Sequence, residues 1–262
     1  LVRYTREEVE NILVKHKLAG AGLAHSRENN IDHIYKLVKG DPGVTLGIEL
    51  IHQAIDKGKL KPQDVLDTIA SWTGCPTNIE HLSGQGYIAP SSTYKALLSA
   101  STVIRRAIEM RSTFIFATGH PANMLSLYSK LADYVSRRGC RIIDFIPENI
   151  SYEGLKLSLH DRVYVASVND NPVHTHDYHL MEELLSKVDI PDIAIADHGF
   201  AGAAVNHGIE TICVMDTNDP GVAVAEKLGA PMVVVPFNDS APSADVDAVF
   251  PIIISMVEAS EQ

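Results

Sequence analysis

Hydrophobic positions along this chain follow two different rhythms. Up to Arg111 they recur at helical intervals. Thr5-Arg6-Glu7-Glu8 has the spacing of a capping box, and Val9, Ile12, Leu13 and His16 then repeat every three or four positions until Gly20. A second helix is expected from Pro62, with Val65, Leu66, Ile69 and Trp72 on one face and Gly74 beyond its end. A third is expected from about Thr93 to Met110, striped by Leu97, Leu98, Val103, Ile104 and Ile108. Between the first two lies HSRENNIDH, His25 to His33, which keeps neither a helical nor a strand period before the apolar GVTLGIEL.

Beyond Arg111 the pattern becomes short apolar runs alternating with longer amphipathic ones. Strands are expected at Thr113 to Ala117, Arg141 to Ile146, Arg162 to Ser167, Asp192 to Ala196, Thr211 to Met215 and Pro231 to Pro236. Helices are expected from Pro121 to Gly139, from near Tyr178, from Gly199 to His207, from Pro220, and at the C-terminus. This alternation predicts an α/β fold with a mostly parallel, Rossmann-like sheet covered by helices on both faces. No Gly/Ser/Pro-rich linker divides the chain. The expectation is a single α/β domain over residues 1–262, mainly helical over 1–111, with the strand–helix repeats of 112–262 carrying the site.

In such sheets ligands bind outside the carboxyl ends of the strands, where the next helices point their N–H groups. The loops after the expected strands are Thr118-Gly119-His120, Pro147-Glu148-Asn149, Asn169 to His176, Asp197-His198-Gly199, Asp216-Thr217-Asn218-Asp219 and Asn238-Asp239. Gly208-Ile209-Glu210 and Leu228-Gly229-Ala230, on the opposite side, are bland. Imidazoles and carboxylates on neighbouring loops suit a divalent cation such as Mn, Zn, Fe or Mg. The metal-ligand candidates are His174, His176, Asp197, His198, Asp216, Asn218 and Asp219, with Asp219 equally suited to cap the helix opened by Pro220. Thr118-Gly119-His120 and Gly199 could hold an anion at a helix start, and His120 could donate a proton. Arg27, Glu28, Asn29 and Asn30 form a further polar group that could grip phosphate or be a solvated loop.

Composition narrows the partners. The chain has 262 residues, 45% of them hydrophobic, enough for a substantial core, and 33 acidic against 22 basic residues give a net charge of −11. Without clustered cations, nucleic acid is not an expected partner. No apolar run approaches the ~20 residues of a membrane span and no leader-like segment precedes the first helix, so the expected location is cytoplasmic, away from the membrane. Cys75, Cys140 and Cys213 have no disulfide or metal spacing and are expected to be inert thiols in a reducing compartment.

The segments Arg27 to His33, Ala117 to Pro121, His174-Thr175-His176, Ala196 to Gly202 and Asn218-Asp219-Pro220, in this order, resemble a bacterial family of phosphatases, some members of which are labelled histidinol-phosphate phosphatases. Where members carry tryptophan after the DHG, this chain has Phe200, a mild aromatic change. The resemblance implies a metal-assisted phosphomonoesterase acting on a small phosphorylated metabolite. In that reading His120, His174, Asp197 and His198 are catalytic, and Arg27, Glu28, Asn29, Asn30, Thr118, Gly119 and Gly199 bind the substrate. No RHG or CxxxxxR nucleophile motif is present, so direct attack by water is expected over a phosphoenzyme. The alternatives are a non-hydrolytic, isomerase- or ligase-like enzyme binding a phosphometabolite, or a metabolite sensor; a homo-oligomer is compatible with each.

Overall fold

The computed structural model describes residues 2–259. Its N-terminal part comprises α1 (Arg6–Lys15), β1 (Gly20–Ser26), α2 (Arg27–Val38), α3 (Pro42–Thr45), α4 (Glu49–Asp56), α5 (Pro62–Thr73), β2 (Gln85–Ile88) and α6 (Pro90–Glu109). Next come β3 (Thr113–Thr118), α7 (Pro121–Arg137), β4 (Arg141–Ile142), β5 (Ser151–Tyr152), β6 (Leu155–His160), β7 (Val163–Val168), β8 (Asn171–Pro172) and α8 (His179–Leu185). The last stretch holds β9 (Ile193–Ala196), α9 (His198–Asn206), β10 (Glu210–Met215), α10 (Pro220–Lys227), β11 (Met232–Pro236), α11 (Ser243–Val246) and α12 (Phe250–Glu258).

Among the described residues nine strands form one sheet, ordered β11-β10-β9-β3-β7-β6-β5, with β4 on β3 and β8 on β7. The strands from β11 to β7 run parallel, and β6, β5 and β8 extend the β7 side antiparallel. The strand period of two divides the core. Phe114, Phe116, Ile195 and Val214 face one layer, which α1, α6, α7 and α12 cover. Ile115, Ala117, Ala194, Ala196 and Met215 face the other, covered by α2, α4, α5, α8, α9 and α10. Since α7 leaves β3 onto one face and α9 leaves its neighbour β9 onto the other, a crevice opens between their carboxyl ends.

Several elements differ from the sequence expectation. HSRENNIDH is the end of β1 and the first half of α2. The Ser26 hydroxyl caps that helix, accepting from Asn29 N at 3.1 Å. Its inward face begins with Arg27 and Asn30 before Ile31, Ile34 and Leu37, so polar residues hide the helical stripe. The strand expected over 141–146 is only β4, because β7 takes the remaining edge of β3 at Ala117 and Thr118. The β5–β6 hairpin turns on Glu153 and Gly154, both left-handed, a two-residue turn that matches strand twist. α6 starts at Pro90, three positions before the expected Thr93. No helix among the described residues is long and apolar enough to cross a membrane.

Candidate metal centre

The parallel register puts Ala117, Ala196, Cys213 and Val234 in one row across four strands. The next residues along β3 and β9 are Thr118 and Asp197, and their side chains meet. Thr118 Oγ1 donates to Asp197 Oδ2 at 2.7 Å, Gly119 N donates to Asp197 Oδ1 at 2.7 Å, and His198 Nδ1 donates to the same oxygen at 2.9 Å. His198 has left-handed backbone, φ 51°, an unfavourable conformation for a residue with a Cβ, held here by full burial at the start of α9. A Cβ on Gly119 would lie 2.3 Å from Thr175 O, and one on Gly199 would lie 2.3 Å from His176 O. Both glycines let the loop from His174 to Asp177 press onto the strand ends, and Thr175 N donates to Gly119 O at 2.9 Å.

Four imidazoles converge above this support. Ring centroids lie 4.1 Å apart for His120 and His174, 4.6 Å for His120 and His198, 4.3 Å for His176 and His198, and 4.8 Å for His174 and His176. His176 Nδ1 lies 2.6 Å from Gly43 O. A carbonyl can only accept, so Nδ1 carries the proton and Nε2 keeps a free lone pair; the Asp197 carboxylate fixes His198 likewise. These are the partners that orient metal-binding histidines. Donor atoms of His120, His174 and His198 lie within 4.8 Å of one another, and so do those of His176, His198 and Asp219.

Electrostatics fit ligation. Burial lowers His176, as does the neighbouring His198. His174 is pushed down to about 4, first by burial of its ring against the cluster, although the residue as a whole is exposed, and then by His120, His198 and His176. A neutral His174 suits a ligand better than a proton donor. For His198 burial favours the neutral ring, but Asp219, Asp197 and Asp239 outweigh it and raise it to about 10. That preference for positive charge at a buried nitrogen facing carboxylates is one a metal cation can satisfy.

A third group joins the same rim. His25 Nε2 lies 3.5 Å from Asp216 Oδ2, and the donor atoms of His25, Asp216 and Asp239 fall within 4.8 Å of one another. Asp239 Oδ2 is also 3.3 Å from His120 Nδ1 and 3.8 Å from His198 Nε2. Burial, then Asp239, pushes Asp216 well above the usual carboxylate range. Burial opposes ionisation of Asp239 too, but His120 and His198 hold it below that range. His120 Nδ1, Asp216 Oδ2 and Asp239 Oδ2 are buried without a hydrogen-bond partner.

The structure therefore gathers His120, His174, His176, His198, Asp216 and Asp219 on one rim, with the other candidates around it. Asp197 accepts from protein donors on both oxygens, one of them the His198 ring. Thr118 and Gly119 serve the same carboxylate, and Gly199 lets the loop at His176 and Asp177 pack closely. Asp219 precedes Pro220 but makes no side-chain cap; Oδ2 accepts from Asp216 N at 3.2 Å and stands 4.0 Å from His198 Nε2. Asn218 offers its carbonyl to His33 Nδ1 at 2.7 Å. Arg27 is turned away, donating to Pro76 O at 2.8 Å, His81 O at 3.2 Å and Asn78 O at 3.3 Å. Glu28 is exposed, whereas Asn30 Oδ1 accepts from Thr217 Oγ1 at 3.2 Å and Asn29 Oδ1 is buried and unpartnered. His25 and Asp239, outside the sequence candidates, belong to a group that could hold an ion. Asp239 follows a strand end as the others do, whereas His25 belongs to a strand whose polar end hid it.

A family model described as Phosphatase matches residues 4–260 of the chain. The phosphatase SCO2771 of Streptomyces coelicolor is 35% identical over 240 residues, covering 90% of this chain and 89% of the relative. No solved structure matches at a significant level.

Proposed function

The chain belongs to the phosphatase family, and on that premise we propose that it is a metal-assisted phosphomonoesterase acting on a small phosphorylated metabolite. His120, His174, His176, His198 and Asp219 would hold a divalent cation. Such a cation, when bound, polarises a phosphoryl oxygen and lowers the pKa of water. The protein's own part is to keep the nitrogens ready. Gly43 O and Asp197 lock the tautomers of His176 and His198, and Thr118 and Gly119 hold Asp197. α7 and α10 both start at this rim, and their free N–H groups favour a phosphate over a neutral group. His174, the exposed member, faces the incoming ester.

The observation that carries this reading is the four-imidazole cluster with two tautomers fixed by outward partners, which a merely structural histidine does not require. The test is phosphate release from a panel of sugar, amino-alcohol and nucleoside monophosphates, with protein stripped by chelator and reloaded with Mn²⁺, Zn²⁺, Fe²⁺ or Mg²⁺ in turn. Turnover with at least one ion, reduced at least 100-fold in His198→Ala, is the expected result. Saturable binding of a phosphoester without release under any ion would replace it with the sensor or non-hydrolytic reading.

A further inference from the structure

We infer that the rim carries a second cation site, built by His25, Asp216 and Asp239, which rests on reading the imidazole cluster as the first. Lone pairs decide how many sites there are. His198 has one to offer, because its Nδ1–H is given to Asp197. The groups His120–His174–His198 and His176–His198–Asp219 both need that lone pair, so they make one site with alternative ligands. His25, Asp216 and Asp239 share no donor with either group.

Two buried carboxylates point into this second place without a partner. Asp216 is 0% exposed; Oδ1 accepts from Thr217 N at 2.5 Å and Oδ2 from nothing. Asp239 is 1% exposed, and its Oδ2 is likewise unpartnered. The groups of opposite charge beside them are histidines, with no lysine or arginine in reach among the described residues. An unmade hydrogen bond at a buried acceptor is destabilising, more so at a charged one, and here two stand side by side. An anion would be repelled. A hard divalent cation answers both oxygens and the imidazole together.

The N-terminal part is shaped to deliver His25. Between Ala21 and Ser26 the β1–β2 register jumps, so β1 carries an irregular bulge over the stretch that holds His25. Asn238, next to Asp239, fastens the turn before β1: its N–H donates to Leu18 O at 2.9 Å and its Nδ2 to Lys17 O at 2.7 Å. Asp239 Oδ2, within 4 Å of His120 and His198 as well, stands between the two sites. One site is rich in imidazole and the other in carboxylate, so they differ in preference, nitrogen favouring zinc and oxygen favouring manganese or magnesium.

The test counts metal without turnover. Full-length protein loaded with Mn²⁺ alone and gel-filtered is expected to hold about two ions per chain by mass spectrometry, and about one in Asp216→Asn and in His25→Ala. Anomalous diffraction at the manganese edge should place a peak among His25, Asp216 and Asp239. Asp216→Asn keeps the shape of the side chain, and the wild-type diffraction experiment needs no variant to fold. Equal metal content in wild type and Asp216→Asn, or no peak at those three side chains, overturns the inference and leaves the phosphate-release test standing. Conversely, a protein with both ions and no phosphatase activity keeps the second site and loses the proposed function.

Discussion

Asp197 shows how one residue can hold several others in place. Its carboxylate accepts from Thr118, Gly119 and His198, three donors converging on two oxygens. Asparagine has the same shape but replaces one oxygen with a donor, so at least one of these contacts becomes donor against donor. His198 then loses its fixed tautomer, and with it the free Nε2 lone pair. Asp197→Asn is expected to weaken binding of Mn²⁺ by 10–100-fold, the usual effect of removing such a supporting partner. Competition with a chromophoric chelator measures this, and unchanged affinity would show that His198 needs no orientation. The DH pair was legible in the sequence because it ended an apolar run. Which partners the acid takes was not legible, since Thr118 and Gly119 arrive across the sheet from a separate strand.

At the scale of elements, local signals were read well where they are self-contained. The capping box of α1 is present, with Thr5 N donating to Glu8 Oε2 at 2.7 Å and Glu8 N donating to Thr5 Oγ1 at 3.2 Å. α5 runs from Pro62 to Thr73 with Gly74 left-handed at its end, as Pro and Gly placement predicted. Thr5→Ala should cost about 1 kcal/mol of stability. The cap sits at the far end of the ten-residue α1, roughly 15 Å from the turn that meets the rim. Metal content should therefore be unchanged, and urea denaturation with metal counting on the same sample checks both. The elements that were misread, β1 with α2 and the β5–β6 hairpin, carry only a lone Ser26 cap and a Glu153-Gly154 turn. α2 buries Arg27 and Asn30 for tertiary reasons, and that breaks the periodicity by which a helix is recognised.

Over the whole molecule, a cation held at the rim would make stability depend on metal through the buried acids. Asp197, Asp216, Asp219 and Asp239 are all at most 5% exposed and lie on one rim, so like charges crowd a region from which water is excluded. A cation bound only to the folded state adds about 4 kcal/mol at a thousand times its Kd. For a chain of this size that corresponds to roughly 10 °C in the unfolding midpoint. Stripping the protein with a chelator should lower the midpoint by about that amount, and restoring Mn²⁺ should recover it. Calorimetry showing the same midpoint in both states would mean that the acids are compensated within the protein itself.

The sequence by itself determined the α/β class, the strand-end placement of most polar chemistry and the family resemblance. Apolar rhythm and strand–helix order are local properties, and parallel strands necessarily share one edge for all their carboxyl ends. Only the tertiary structure decided which of those polar residues gather on the rim with free atoms and which hold each other. Asp197 and Asp216 look alike in the chain, each an acid ending a strand. One is satisfied by donors from a neighbouring strand and the other keeps an unpartnered oxygen facing His25, from a segment nearly two hundred positions earlier. Hydrogen-bond satisfaction is a sum over everything that arrives at an atom, and no single segment of chain contains it.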